Sequence, residues 1–262
     1  VAYVIVCVVA LVASALTLIS GFGLGTLLLP AFALIFPIEI AVSATAVVHL
    51  ANNLFKLTLV GRYARLRIVL AFGVPAAASA LVGAWVLTRL ADLPALLEYD
   101  LHGRTCTVTP VNVAVSALIF VFAVLDLMPA RRQITFRPKW IPLGGALSGF
   151  FGGLSGHQGA LRSAFLINAG LTKEQFIGTG VTCAVLVDLS RLAVYGSTFF
   201  TRHFTALGDS AGFPLMIAAT LCAFLGAIVG TRLMKKVTLA FVQRLVGVLL
   251  ILMALALGSG LI

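Results

Sequence analysis

Long runs of apolar residues, separated by short polar clusters, make up almost the whole of this 262-residue chain. A helix that crosses the hydrocarbon of a bilayer needs about 20 mostly apolar residues. By that measure the pattern predicts membrane helices over 3–36, 39–60, 68–88, 110–128, 140–170, 174–198, 211–231 and 239–262. The runs do not alternate polar with apolar positions, as the strands of a membrane barrel would. The run from Tyr3 to Ile19 has the length of a secretory leader. It has no basic region ahead of it and is followed by equally apolar sequence, so it is predicted to be a membrane segment. The first and fifth runs are too long for one ordinary span, and each holds a glycine cluster. These are Gly21, Gly23 and Gly25 in the first, and Gly149, Gly152, Gly153, Gly156 and Gly159 in the fifth. The predicted fold is therefore all-α: a polytopic membrane helical bundle with glycine-broken helices.

Composition narrows the class. Apolar residues are 61% of the chain and charged residues 10%, with a mean hydropathy of +1.15. Soluble domains carry about 25% charged residues, so a water-soluble globule is excluded, and disorder, which requires low hydrophobicity, is excluded with it. Eighteen Lys and Arg against eight Asp and Glu give a net charge of +10. In a soluble protein that excess would suggest nucleic acid. Here the cations sit in short clusters between apolar runs, the pattern of cytoplasmic loops, and no nucleic-acid partner is predicted. The clusters are Arg62, Arg65 and Arg67; Arg131, Arg132, Arg137 and Lys139; and Arg232, Lys235 and Lys236. The loop 91–104 is mixed, with Asp92, Glu98 and Asp100 beside Arg104. Placing all three clusters inside requires an even number of crossings between Lys139 and Arg232, although three apolar runs lie there. The simplest solution is that 140–170 enters and returns as a broken hairpin, turning between Gly152 and Gly159. Cys7, Cys183 and Cys222 lie in apolar runs and Cys106 in a polar one, with no metal-ligand or disulfide spacing.

The chain also repeats itself. Gly83-Ala-Trp-Val-Leu-Thr-Arg-Leu90 matches Gly226-Ala-Ile-Val-Gly-Thr-Arg-Leu233 at six of eight positions. In the same order, Gly21-Phe-Gly-Leu-Gly-Thr26 answers Leu154-Ser-Gly-His-Gln-Gly-Ala160, and Ala44-Thr-Ala-Val47 answers Gly178-Thr-Gly-Val181. Asn53-x-x-Lys56 answers Asp188-x-x-Arg191, Tyr63 answers Tyr195, and Pro75 answers Pro214. This predicts two homologous transmembrane repeats, 1–130 and 140–262, joined by a basic linker at 131–139. The loop charges put the region of Arg62 to Arg67 inside and its counterpart near Arg202 outside. The halves would then be inverted copies, a plan that recurs in secondary transporters and binds its solute where broken helices meet at the midplane.

Polar residues inside apolar runs are costly, about 2.5–3.5 kcal/mol for a charge at a helix centre on insertion scales. Asp188 and Arg191 share a helix face and can pair, with Tyr195 one turn on. Thr45, His49, Asn52, Asn53 and Lys56 form a stripe at helical spacing in the first half. His157, Gln158 and Arg162 border the second glycine break. The cations Lys56, Arg162 and Arg191 and the neutral donors Asn53, Gln158, Thr45 and Thr179 suit an anion, as do the exposed N–H groups of broken helices. Each also has a plainer reading. Asp188–Arg191 can be a structural pair, Lys56 can snorkel to the interface, His49 can be a hydrogen-bonded core histidine, and the glycines can serve close packing. No metal site, cofactor loop or catalytic motif is present: there is no HExxH, no nucleophile elbow, and no strand ahead of Gly21-Phe-Gly-Leu-Gly. An enzyme is not expected.

Gly21-Phe-Gly-Leu-Gly-x-x-x-x-Pro30, followed by Ala41-Val-Ser-Ala-Thr-Ala-Val47 and the second glycine-rich turn, resembles the TauE/SafE family of sulfite and organosulfonate exporters. Ser155-Gly-His-Gln-Gly-Ala-Leu-Arg-Ser-Ala-Phe165, Gly178-Thr-Gly-Val181 and Val187-Asp-Leu-Ser-Arg-Leu-Ala-Val-Tyr195 look like one branch of it. That family's second turn usually reads closer to Gly-Ile-Gly-Gly-Gly-x-x-x-x-Pro. Here His157 and Gln158 replace turn residues, and Ala164 stands at the proline position. The resemblance implies a secondary transporter in a bacterial-type cytoplasmic membrane, exporting a small sulfur-containing anion such as sulfite or sulfoacetate, without a cofactor. Gln158 and Arg162 would grip the anion between the first-half stripe near Asn53 and the second break, with Arg191 oriented by Asp188. An anion channel, or an uptake transporter for another small anion, is the alternative. Lipid is the expected surrounding, and a homodimer is compatible with such a bundle.

Overall fold

The structure, a computed structural model, describes residues 2–20, 24–101, 103–127, 136–200, 212–233 and 239–261. Gly21, Gly23, Arg131, Arg132, Arg202, Lys235 and Lys236 lie outside the described residues. Among the described residues ten α-helices follow one another: α1 (Ala2–Ser20), α2 (Leu24–Ala33), α3 (Ile38–Val60), α4 (Leu66–Ala91, with a π-turn at Val69–Gly73), α5 (Pro110–Leu127), α6 (Ile141–Ser155), α7 (Gly159–Leu166), α8 (Lys173–Tyr195), α9 (Gly212–Leu233) and α10 (Leu239–Gly258). Within them, Ile38–Tyr63, Leu66–Ala91, Lys173–Thr198 and Gly212–Gly230 are each long and apolar enough to cross a membrane. The bundle is a helical membrane protein, as the apolar pattern predicts. Large side chains such as Trp85, Ile217, Leu221, Leu225, Leu252 and Leu255 stay exposed on its outside. Such a surface suits acyl chains and not water.

The fifth apolar run turns back on itself. Pro142 opens α6, and Gly156 ends it in the left-handed region, at φ +82°, where its own amide still donates to the Gly152 carbonyl. α7 then runs back along α6. Its Phe165 ring fills the space a Cβ on Gly144 would need, stacks on Phe136 with ring centroids 4.0 Å apart, and lies next to Ala164, whose carbonyl accepts from the Phe136 amide. α1 and α2 pack together, with Gly25 in the first turn of α2.

Helix packing exchanges the two five-helix groups, α1–α5 and α6–α10. α4 packs on α6 and α9 on α1; α4 packs on α8 and α9 on α3; α3 meets α8 and α5 meets α10. Glycines permit the closest of these contacts. A Cβ on Gly145, Gly149 or Gly153 would strike the carbonyl of Phe72, Ala76 or Ala80 on α4. Gly83 abuts the Phe150 carbonyl on α6, and Gly226 abuts the Leu11 carbonyl on α1. These two glycines head the repeated eight-residue motif, and each lies against the first helix of the other group. Small residues at such positions let helix backbones touch where lipid offers no hydrophobic drive.

One element departs from the apolar pattern. β1 (Leu97–Leu101) and β2 (Arg104–Val108) form an antiparallel hairpin in the mixed loop, in register from Leu97 opposite Val108 to Leu101 opposite Arg104. Leu97-Glu-Tyr-Asp-Leu101 alternates, and Gly103 takes φ +79°, so a period-2 signal is present in the sequence but shorter than any membrane-length window. The Tyr99 hydroxyl donates to the Ser259 carbonyl and fastens the hairpin to the far end of α10.

Candidate functional site

α3 and α8 cross at the centre of the bundle, and both are polar along the face they share. α8 begins on a complete capping box: the Thr172 hydroxyl accepts from the Gln175 amide, and the Gln175 side chain accepts from the Thr172 amide. About two turns later the helix delivers Thr179, and further along Asp188 and Arg191. α3 brings Thr45, His49, Asn52, Asn53 and Lys56 at three- and four-residue spacing to the same face. The ten polar side chains singled out from the sequence as substrate ligands are all buried.

Five of them form one network around Asp188, which is fully buried. The Arg191 Nε and terminal nitrogen donate to Asp188 Oδ1 at 3.0 and 2.7 Å, and the Gln158 amide reaches the same oxygen at 3.3 Å. His49 Nδ1 lies 2.7 Å from Oδ2, and the Asn53 amide donates to Oδ2 at 3.0 Å. A buried carboxylate needs this many partners because it has left water entirely. Arg191 continues to the Gly152 carbonyl at 3.5 Å, and the Tyr195 hydroxyl donates to the Gly153 carbonyl, so the end of α6 hangs from α8. The Gln158 carbonyl accepts from the Ser148 hydroxyl at 2.9 Å.

The two helix breaks meet at this network. A Cβ on Gly25, in the first turn of α2, would sit 3.5 Å from the His49 ring and 3.6 Å from the Gly156 carbonyl. A Cβ on Gly156 would crowd the Arg191 guanidinium at 2.9 Å. Gly159 starts α7 directly after Gln158. Arg162, one turn into α7, lies against Gly180 of α8, within electrostatic reach of Cys183, Asp188 and Lys56. Lys56 is 2% exposed, and its ammonium has no hydrogen-bond partner among the described residues.

The remaining predicted residues stand somewhat apart. The Thr179 hydroxyl accepts from the Arg65 amide at 3.0 Å and so anchors the start of α4. His157 packs its ring parallel to Phe122, centroids 5.8 Å apart, with Nδ1 at 3.1 Å from the Ser155 carbonyl. Thr45 lies one turn from His49, with its hydroxyl unpartnered among the described residues. Sequence reasoning missed Ser148 and the pairing of the Ser14 hydroxyl with Asn52 at 3.1 Å. Ser148 sits one residue before Gly149 on the glycine face of α6, which was its one legible signal. Among the described residues no group of three or more His, Cys, Asp or Glu side chains could hold a metal ion.

No curated protein and no solved structure matches the chain. The family described as sulfite exporter TauE/SafE does, over residues 6–257, which include both helix breaks, α3, α8 and every residue of the buried network. The chain therefore belongs to the TauE/SafE sulfite exporter family, a family of transporters, and is a multi-pass membrane protein.

Proposed function

We propose that this protein exports a small sulfur-containing anion, sulfite or a sulfonate such as sulfoacetate, across a bacterial-type cytoplasmic membrane by alternating access. One observation carries the reading: Arg162 and Lys56 are buried cations grouped beside two facing helix breaks. A sulfonate has a fixed charge and three acceptor oxygens, which suit a guanidinium, an ammonium and the open N–H groups at the start of α2 and α7. The exchanged packing of α1–α5 and α6–α10 supports an inverted repeat, in which one half rocks against the other around a central site. The α6–α7 hairpin supports it too, since only α8 and α9 are then left to cross between the linker cluster and Arg232. All ten side chains are buried, which favours a carrier that must open over a channel whose polar lining is already wet. An inside-negative potential drives an anion outward by about 2.3 kcal/mol per charge per 100 mV, so export needs no coupling ion.

Counterflow in proteoliposomes, with sulfite, sulfonates, sulfate and carboxylates as competitors, tests the reading. Arg162→Ala removes a charge-assisted contact and is expected to weaken apparent affinity about ten- to hundredfold, and Gln158→Ala about three- to tenfold. Unchanged affinity in both variants, or no saturable flux of any sulfur anion, would overturn it.

A further inference from the structure

A buried polar atom without a partner is costly, and α3 lines up three of them. The Thr45 hydroxyl, the Asn52 amide nitrogen and the Lys56 ammonium are buried and have no hydrogen-bond partner among the described residues. Helical geometry places them within about 20° of one line along α3, about 16 Å long. The line runs beside the flank from which His49 and Asn53 reach Asp188. The Ser14 hydroxyl of α1 donates to the Asn52 side-chain oxygen at 3.1 Å and so leaves the nitrogen as the free end of that carboxamide. The Lys56 ammonium has donors and no acceptor, and the Thr45 hydroxyl has a proton to give.

The acceptors at the facing break are already engaged. The carbonyls of Gly152, Gly153, Ser155, Gly156 and Gln158 each accept from a group of the protein. Asp188 meets five nitrogens, two from Arg191 and one each from Gln158, His49 and Asn53, with lone pairs for about four. One unpartnered atom is an acceptor: His157 Nε2, since Nδ1 faces the Ser155 carbonyl, and its ring lies on Phe122 of α5. α3 therefore offers donors to a solute whose oxygens all accept. An O–H on the solute would be aimed at an N–H, and a buried donor would lose its partner. We infer that α3 selects oxyanions that carry no proton, such as a sulfonate, against oxyanions of the same shape and charge that keep one, such as a phosphonate monoanion. Ser14 is then a positioning residue, acting through Asn52. This rests on the anion site proposed above and adds to it the discrimination between proton-free and proton-bearing oxyanions.

The test uses the purified, lipid-reconstituted protein and two probes, methanesulfonate and methylphosphonate, at a pH where methylphosphonate is a monoanion. The two then match in shape and charge and differ by one O–H. Wild type is expected to bind methanesulfonate at least about tenfold more tightly. Ser14→Ala frees the Asn52 oxygen to turn toward the solute and is expected to cut that ratio about threefold or more, by strengthening methylphosphonate. A merely structural loss would weaken both probes alike and leave the ratio where it was. Equal wild-type affinities would overturn the inference, as would an unchanged ratio in Ser14→Ala. Tighter wild-type binding of methylphosphonate would overturn it too, and would point to His157 Nε2 as the group that reads the solute. The wild-type comparison stands without any variant, so a misfolded Ser14→Ala protein does not shield the inference. Failure of wild type to bind either probe would instead overturn the anion site itself.

Discussion

α3 and α8 hold matching places in the two halves of the chain and carry matching polar pairs, Asn53-x-x-Lys56 and Asp188-x-x-Arg191. On α8 the cation is neutralised by an acid one turn before it, in a pair with two short hydrogen bonds and no exposure. On α3 the residue one turn before the cation is an amide, and the cation has no hydrogen-bond partner among the described residues. The amide has a reason to be an amide. Asn53 stands 3.0 Å from Asp188 Oδ2, and a carboxylate there would face another carboxylate. Two helices that pack face to face at this point cannot both carry the acid. On α8 the charged pair is a structural anchor, whereas on α3 the Lys56 ammonium has no hydrogen-bond partner among the described residues.

That contrast can be broken from several directions. The largest effect is expected from Asp188→Asn, which leaves Arg191 buried without its partner. Removing one member of a buried pair costs about 3–5 kcal/mol, so the thermal unfolding midpoint in detergent should fall steeply. Lys56→Met should leave the midpoint unchanged or raise it, since that charge has no partner to strand. A similar loss in both variants would erase the distinction between the helices.

Next come the glycine contacts that join the halves. Gly153→Val on α6 would force a side chain into the Ala80 carbonyl, and Gly226→Val on α9 would do the same at the Leu11 carbonyl. Backbone cannot swing aside as a long side chain can, so each should cost about 1–3 kcal/mol or more, measurable as a lower midpoint. If only one of the two matters, the halves are not packed as equivalents.

The smallest effect is expected at the helix starts. Thr172→Ala removes the capping box of α8 and should cost about 1 kcal/mol. α3 starts after Pro37 with no side-chain cap, so Pro37→Ala removes no capping hydrogen bond. A loss at position 37 as large as that at 172 would contradict this difference.

Much of the architecture was legible from the chain. The eight apolar runs correspond to the helices or helix pairs observed, and loop charge alone pointed to a hairpin in 140–170, which the Phe165–Gly144 contact bears out. The β-hairpin at 97–108 was missed because its alternation is brief and lies in a loop read only for its charge. For the site, helical spacing correctly grouped His49, Asn53 and Lys56, and it paired Asp188 with Arg191. It set Gln158 apart as a ligand for solute, whereas its amide also donates to Asp188, thirty residues away. It counted Thr179 among the donors for the solute but gave no sign that its hydroxyl also accepts from the Arg65 amide, 114 residues away.

The sequence by itself determined that the chain lies in a membrane, that it is helical, and which side chains must be buried there. Those conclusions depend on composition and on periods of a few residues, which are local properties. Only the tertiary structure decided which buried charge is answered. Compensation depends on distances between groups more than a hundred residues apart, and His49 and Asn53 meet Asp188 because glycine-lined helices approach closely enough to bring two separate halves together.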